Sequence, residues 1–169
     1  MEVKQIKQFS IFSNISDEEV KYFQEITKEV KISEGDIFIT EGNVGDSIYM
    51  LVEGEVEVNQ ALTLSLNRKG NDNREKALIK LNSNQTPPPL FGEMSLFNDD
   101  DKRTANVKAL TDCHLFKIMK EDFIRICDTH PSTGHKVMLE LCRLLCRRLV
   151  NANENVLKLT TAFSLVLER

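Results

Sequence analysis

Three regimes of hydrophobic spacing succeed one another along this chain, and they predict helices, then strands, then helices. Residues 1–30 read as helical: Val20, Phe23 and Ile26 recur at helical spacing behind Ser16 and Glu19, whose separation is that of a capping box. Ahead of them, Phe9, Ile11 and Phe12 form an apolar entry expected to pack on the body of the domain. From Ile32 to Ile118 the period falls to two. Glu55-Val56-Glu57-Val58 and Leu62-Thr63-Leu64-Ser65-Leu66 alternate cleanly, and Leu115 to Ile118 reads as a late strand. Glycines and Asn/Asp pairs break these runs at short intervals, which predicts an all-β sandwich, barrel or jelly roll over residues 31–120. Gly42, Gly45 and Gly54 are expected to be turn glycines with positive φ.

After Glu121 the spacing is helical again, over residues 121–169. Met138, Cys142, Leu145, Leu149, Ala152, Val156, Leu159, Phe163 and Val166 are separated by four and three residues in strict alternation. This is a heptad seam, with Cys142, Leu149, Val156 and Phe163 at a and the others at d. A helix packed on its own domain also has an apolar stripe, but it does not need so narrow and sustained a seam. The pattern therefore predicts a long C-terminal helix that joins two copies as a coiled-coil homodimer. Cys146, Asn153, Asn155 and Thr160 flank the seam and are uncharged, so partner choice and orientation are weakly specified.

Two polar stretches interrupt the strand region. Asn67 to Lys76 reads as a mobile hairpin tip, and Asn82 to Pro89 brings three consecutive prolines to the start of the next segment. Prolines fix φ, so their expected role is to stiffen an extended approach. Asp99, Asp100 and Asp101 read as a solvated acidic loop, not a metal site.

Composition narrows the class. The 169 residues suffice for one domain with a sizeable core, and 41% hydrophobic with 28% charged residues is the mix of a globular protein. A net charge of −4 argues against a nucleic-acid footprint. No apolar run approaches the roughly 20 residues of a membrane span, and no signal-peptide core opens the chain, so a cytoplasmic location is expected. Cys113, Cys127, Cys142 and Cys146 form no CxxC pair and are expected to be buried, reduced thiols.

The chemistry gathers between Phe91 and Val107, in FGEMSLFNDDDKRTANV. Gly92 lets backbone approach a ligand, and a short helix through Met94, Ser95 and Leu96 would offer unpartnered N–H groups to an anion. Arg103 can form a two-pronged pair with phosphate oxygens. Glu93 would repel the same phosphate, so it suits hydroxyl groups such as those of a sugar. The stretch is read as holding a sugar and a phosphate side by side.

With Phe91-Gly92-Glu93, the apolar turn and Arg103-Thr104-Ala105 in place, the stretch resembles the phosphate-binding cassette of the cyclic-nucleotide-binding domain family. The run from Gly35 to Val58 is similar to that family's glycine-punctuated strands, with Gly35-Asp36, Gly42, Gly45-Asp46, Tyr49 and Gly54 in order. The resemblance implies a β-roll (double-stranded β-helix, or jelly roll) with N-terminal helices and a long C-terminal helix. It also implies backbone N–H groups of Gly92, Met94, Ser95 and Ala105 facing ribose or phosphate. Glu93 would take the ribose 2′-hydroxyl, Arg103 the cyclic phosphate, and Thr104 phosphate or base. Similarity to the helix of bacterial catabolite activators places Arg148, Ala152 and Asn153 over the pocket, with Arg148 reaching Glu93.

Competing chemistries are weaker. A metal-dependent jelly-roll enzyme needs convergent histidines or carboxylates, whereas the three histidines make no paired-ligand motif. His130, His135 and Cys127 have irregular spacing for zinc, and no nucleophile grouping is visible. A recognition helix of the kind a catabolite activator carries behind its long helix is not expected from the residues up to Arg169. The expectation is a stand-alone, non-enzymatic sensor that binds cAMP without a cofactor and acts on an unknown protein effector. The alternatives are a cGMP sensor, or the ligand-binding fragment of a longer transcription regulator or effector.

Overall fold

The computed structural model describes residues 1–61, 75–97 and 102–167. Helix α1 (Val3–Lys7) and a 3₁₀ turn (Ser10–Phe12) lead into α2 (Asp17–Ile26). Ser16 and Glu19 make the predicted capping box: the Ser16 hydroxyl accepts from the Glu19 N–H, and the Glu19 carboxylate accepts from the Ser16 N–H. Phe9, Ile11 and Phe12 are fully buried, as the apolar entry required.

The helical segment stops earlier than residue 30. Thr27 is already extended, and its hydroxyl donates to the Phe23 carbonyl. Residues Lys28–Ile32 form strand β1, paired antiparallel with the late strand. Lys-Glu-Val-Lys-Ile is short enough for either reading, and the ladder with a neighbouring strand decides it.

Strands β2 (Ile37–Ile39), β3 (Ser47–Glu53), β4 (Glu55–Ala61), β5 (Glu75–Asn82), β6 (Leu90–Phe91), β7 (Asn106–Ala109) and β8 (Cys113–Met119) complete the β region. They form two antiparallel sheets, ordered β1-β8-β3-β6 and β2-β7-β4-β5. The predicted jelly-roll architecture is therefore present. Glu75 and Lys76 belong to β5 and not to a hairpin tip; Leu62–Leu66, the rest of that tip and Asp99–Asp101 lie outside the described residues.

The β3 sequence departs from simple alternation because both its faces are covered. Tyr49 and Leu51 point between the sheets, with Leu115, Val56, Phe91 and Val107. Ile48 and Met50 point the other way, with Phe116 and Ile118, into a second core under the helices. Pro89 continues the β3 pairing by accepting from the Leu51 N–H, in keeping with a stiffened approach to β6.

Helix α3 (Lys120–Thr129) and helix α4 (Pro131–Leu167) follow. Proline at the first position of α4 sacrifices no helical hydrogen bond. Two aromatic contacts tie the helical elements together, Phe12 to Phe23 at 4.9 Å and Phe23 to Phe123 at 5.8 Å, and a third, Phe9 to Phe116 at 6.3 Å, joins the N-terminal segment to β8. Cys113 and Cys127 are buried, and desolvation raises both thiol pKa values, that of Cys127 to about 11. Cys142 and Cys146 are exposed on α4, contrary to expectation, because they face away from the domain core.

Glu19 does a second job. Its carboxylate accepts from Lys136 Nζ at 2.7 Å and from the Thr133 hydroxyl at 2.9 Å, which fastens the start of α4 to α2. The hydrogen bond from Lys136, then that from the Ser16 N–H, lowers its pKa from the ordinary 4.5 to about 2. A lowered carboxylate pKa gives stability that is complete above about 4.5 and lost as pH falls through about 2. Glu19→Gln should lower stability at neutral pH by about 1 kcal/mol, or roughly 2–4 °C in Tm. Thermal melts from pH 7 to pH 2 should show that difference closing with acidification.

Candidate functional site

The β6 strand ends at Gly92, whose φ of +83° turns the chain left-handed into a 3₁₀ turn over Glu93–Leu96. A side chain on Gly92 is excluded twice: by that φ, and because a Cβ would lie 2.5 Å from Arg103 Nη1. The turn is only four residues long, so the helix-dipole contribution is small. The main positive charge here is Arg103.

Arg103 is only 7% exposed. Its Nη1 donates to the Gly92 carbonyl at 3.0 Å and to the Ser95 hydroxyl at 2.8 Å, and its Nη2 donates to the Ser47 hydroxyl at 3.1 Å. Asp46 Oδ1 stands 3.7 Å from Nη2 and accepts from the Ser47 hydroxyl at 2.8 Å. Burial draws the guanidinium pKa down, and the nearby Tyr49, Asp46 and Glu93 oppose this. The backbone of Arg103 is fixed as well. Its N–H donates to the Asn43 carbonyl and its carbonyl accepts from the Gly42 N–H, so the Gly42 turn (φ +81°) holds the arginine in place.

The sequence motif contains Gly45 and Asp46 but links neither them nor Ser47 to Arg103. Gly45 has no positive φ; instead, a Cβ there would lie 2.2 Å from the Ser95 hydroxyl. It is a close-approach glycine beneath the cassette, not the turn glycine expected. Gly42 and Gly54 do have positive φ.

Glu93, 1% exposed, meets Arg148 from α4: Nη1 donates to the Glu93 carboxylate, and Nη2 donates to the Leu90 carbonyl. The expected link between helix and cassette is thus made. At the opposite end of the turn, Lys120 Nζ donates to the Ser95 carbonyl at 3.3 Å, which joins the cassette to the start of α3.

These groups surround a cavity of about 470 Å³. Phe91, Gly92, Glu93, Met94, Ser95, Arg103, Thr104, Ala105 and Arg148 all line it. Ile39, Val58, Ile79, Leu81 and Val107 supply apolar walls from the second sheet. Thr104 is exposed, and its hydroxyl donates to the Met94 sulfur at 3.8 Å. Asn153 is not among the lining residues. On α4, Asn151, Ala152 and Asn155 take that place beside Arg148, because positions three, four and seven residues on share its helix face and the fifth does not.

Among the described residues, no group of three or more His, Cys, Asp or Glu side chains could hold a metal ion. His130 instead stacks on Tyr22 at 3.8 Å. Among the same residues, no helix is long and apolar enough to cross a membrane.

The two-sheet roll, the Gly92–Ala105 cassette and the helix that clasps it define a regulatory ligand-binding domain. The chain belongs to the cyclic nucleotide-binding domain family, which matches residues 29–130. It is similar to the cyclic AMP receptor protein of Thermus thermophilus, 28% identical over 143 residues, which are 85% of this chain and 58% of that one. The crystal structure of the Thermus thermophilus catabolite activator protein superposes with a TM-score of 0.71 at 26% identity, covering 89% of this chain and 63% of the other. The N-terminal domain of a transcriptional regulator from Streptomyces coelicolor A3(2) superposes with a TM-score of 0.68 at 27% identity, covering 88% and 94%. The chain spans about three-fifths of the length of the Thermus relative.

Proposed function

We propose that this chain is a cytoplasmic, non-enzymatic sensor that binds cAMP in the β-roll cavity and signals through α4 as a homodimer. One observation carries the reading: a buried carboxylate and a buried guanidinium, Glu93 and Arg103, line the same cavity. A cyclic nucleotide needs both, one for the ribose 2′-hydroxyl and one for the phosphate. Arg103 would exchange its Ser95 and Gly92 partners for phosphate oxygens, while Gly92, Met94, Ser95 and Ala105, which line the cavity, would offer backbone N–H groups to ribose or phosphate. Because α4 supplies Arg148, Asn151, Ala152 and Asn155 to the same cavity, ligand binding is coupled to the position of that helix. A nucleotide that binds better to one helix position shifts the population toward it, and a protein effector would read the change.

Isothermal titration with cAMP, cGMP and cyclic di-GMP tests the reading. cAMP should bind more tightly than cGMP by a small factor, in keeping with the printed name of the Thermus relative. Thr104 works against this preference, since its oxygen can still accept from the guanine 2-amino group. Tenfold tighter binding of cGMP would reverse the assignment.

A second reading is favoured by the span of three-fifths of the Thermus relative: the ligand-binding part of a longer transcription regulator. Whether the natural reading frame continues beyond Arg169 decides between the two.

A further inference from the structure

Two cysteines stand in the open on α4, one turn apart. Cys142 and Cys146 are exposed, although cysteine is among the most often buried residue types. Neither lines the β-roll cavity, so nucleotide binding there makes no use of them. Residues four apart share a helix face, with Cβ atoms about 5–6 Å from each other. That is too far for a disulfide within the helix, which needs Cβ atoms about 3.5–4.5 Å apart. It suits a shared metal ion, because two side chains at this spacing can close on one zinc, as paired histidines do on helices.

A closed tetrahedral site takes four ligands. Among the described residues of one chain, no third His, Cys, Asp or Glu completes a metal-binding group with this pair. The missing ligands can come from a second copy. Met138, which the heptad pattern assigns to the seam, is partly buried against the domain core, and Leu145 is half-buried. Over these turns the face left for another helix is therefore Leu139, Cys142, Cys146 and Leu149, at spacings of three, four and three. Leu139 and Leu149 are 42% and 61% exposed, so apolar side chains bracket the thiols before and after. In a parallel pair of helices equivalent residues meet at the same height, so four thiols gather in two successive layers.

We propose that Cys142 and Cys146 of two copies together form a four-thiolate site for a thiophilic, tetrahedral metal ion of the zinc class. On binding, each thiol gives its proton to solvent and forms one Sγ–metal bond, with no change of oxidation state. The thiolates outweigh the charge of a divalent ion. Arg143 and Arg147, each the residue after a cysteine and each exposed, stand beside that excess. Cys142 and Cys146 lie six and two residues before Arg148, far from whole turns, so both face away from the nucleotide cavity. The ion would thus clamp the helix pair beside the cavity without entering it. The inference rests on the reading of α4 as the helix of a homodimer.

The test titrates cobalt(II), whose visible bands report tetrahedral thiolate coordination, into the reduced full chain. One ion per two chains should saturate the bands, and added zinc should bleach them. Cys113 and Cys127 are buried and should not compete. Cys142→Ser and Cys146→Ser should each abolish the bands and weaken zinc binding by more than about a hundredfold, since losing even an outer-shell partner costs about 10–100-fold. Both positions are exposed, so circular dichroism should report folded variants. Light scattering on the same samples reports the dimer. A wild-type dimer that shows no tetrahedral bands, takes one ion per chain, or keeps its bands in either serine variant overturns the metal site alone. A wild-type chain that is monomeric with and without zinc overturns the homodimer reading and this site with it.

Discussion

Arg103→Ala is expected to weaken cyclic-nucleotide binding a hundredfold or more while the chain stays folded. Each hydrogen bond to a charged group contributes about 1.5–3 kcal/mol, so losing a two-pronged phosphate pair reaches two decades or beyond. The wild-type value would itself be a net one, since a bound phosphate would have to displace the Gly92 carbonyl and the Ser95 hydroxyl from the guanidinium. Truncation also removes a buried donor from those groups and from the Ser47 hydroxyl. Each serine keeps an acceptor, because Ser95 donates to the Gly92 carbonyl at 2.8 Å and Ser47 to Asp46 at 2.8 Å. The stability loss should therefore stay near 1–3 kcal/mol, within the 5–15 kcal/mol of an ordinary domain. Arg103→Lys should fall between the two, because it keeps the charge but cannot form the fork. Titration calorimetry read beside a thermal melt separates the effects. Unchanged affinity in a folded Arg103→Ala protein would remove the cassette assignment.

What could be read from the sequence was what is local. The Ser16–Glu19 box lies within one helical turn, and Phe91-Gly92-Glu93 and Arg103-Thr104-Ala105 are contiguous motifs, so spacing alone exposed them. Gly45, Asp46 and Ser47 were missed as supports of Arg103 because they stand more than fifty residues away in the chain. They reach it only when the loop before β3 folds beside the cassette. A glycine required by a positive φ and a glycine required by close approach also look identical as letters, and only the 2.2 Å clearance at Gly45 tells them apart. Asn153 failed through helix phase. Five residues from Arg148 is well past one turn and points away, whereas seven residues is nearly two whole turns and returns Asn155 to the same face. At Lys28–Ile32 the strand partner was invisible, since β8 begins some eighty residues later.

Leu149→Glu combined with Val156→Glu should convert the proposed homodimer into a monomer without unfolding the domain. In the single chain these side chains are 61% and 62% exposed, so neither substitution opens a cavity. Every position of α4 from Leu149 to Leu167 is exposed. A projecting helical segment of this length has little stability of its own in water, and its Leu149, Val156, Leu159, Phe163 and Val166 are apolar. A second copy laid parallel along the heptad seam would cover them. Full burial of such a side chain contributes roughly 1.5–3 kcal/mol, so even partial burial in both helices can exceed an association cost of about 4–15 kcal/mol. Ala152 is common to the seam and the cavity wall, so the helices would come close beside the ligand. Two glutamates at a positions would instead face their counterparts across an apolar contact, where like charges are both desolvated and repelled. Light scattering at micromolar concentration should give about twice the 19.3 kDa chain mass for wild type and the chain mass itself for the double variant. A wild-type mass of 19.3 kDa would overturn the homodimer.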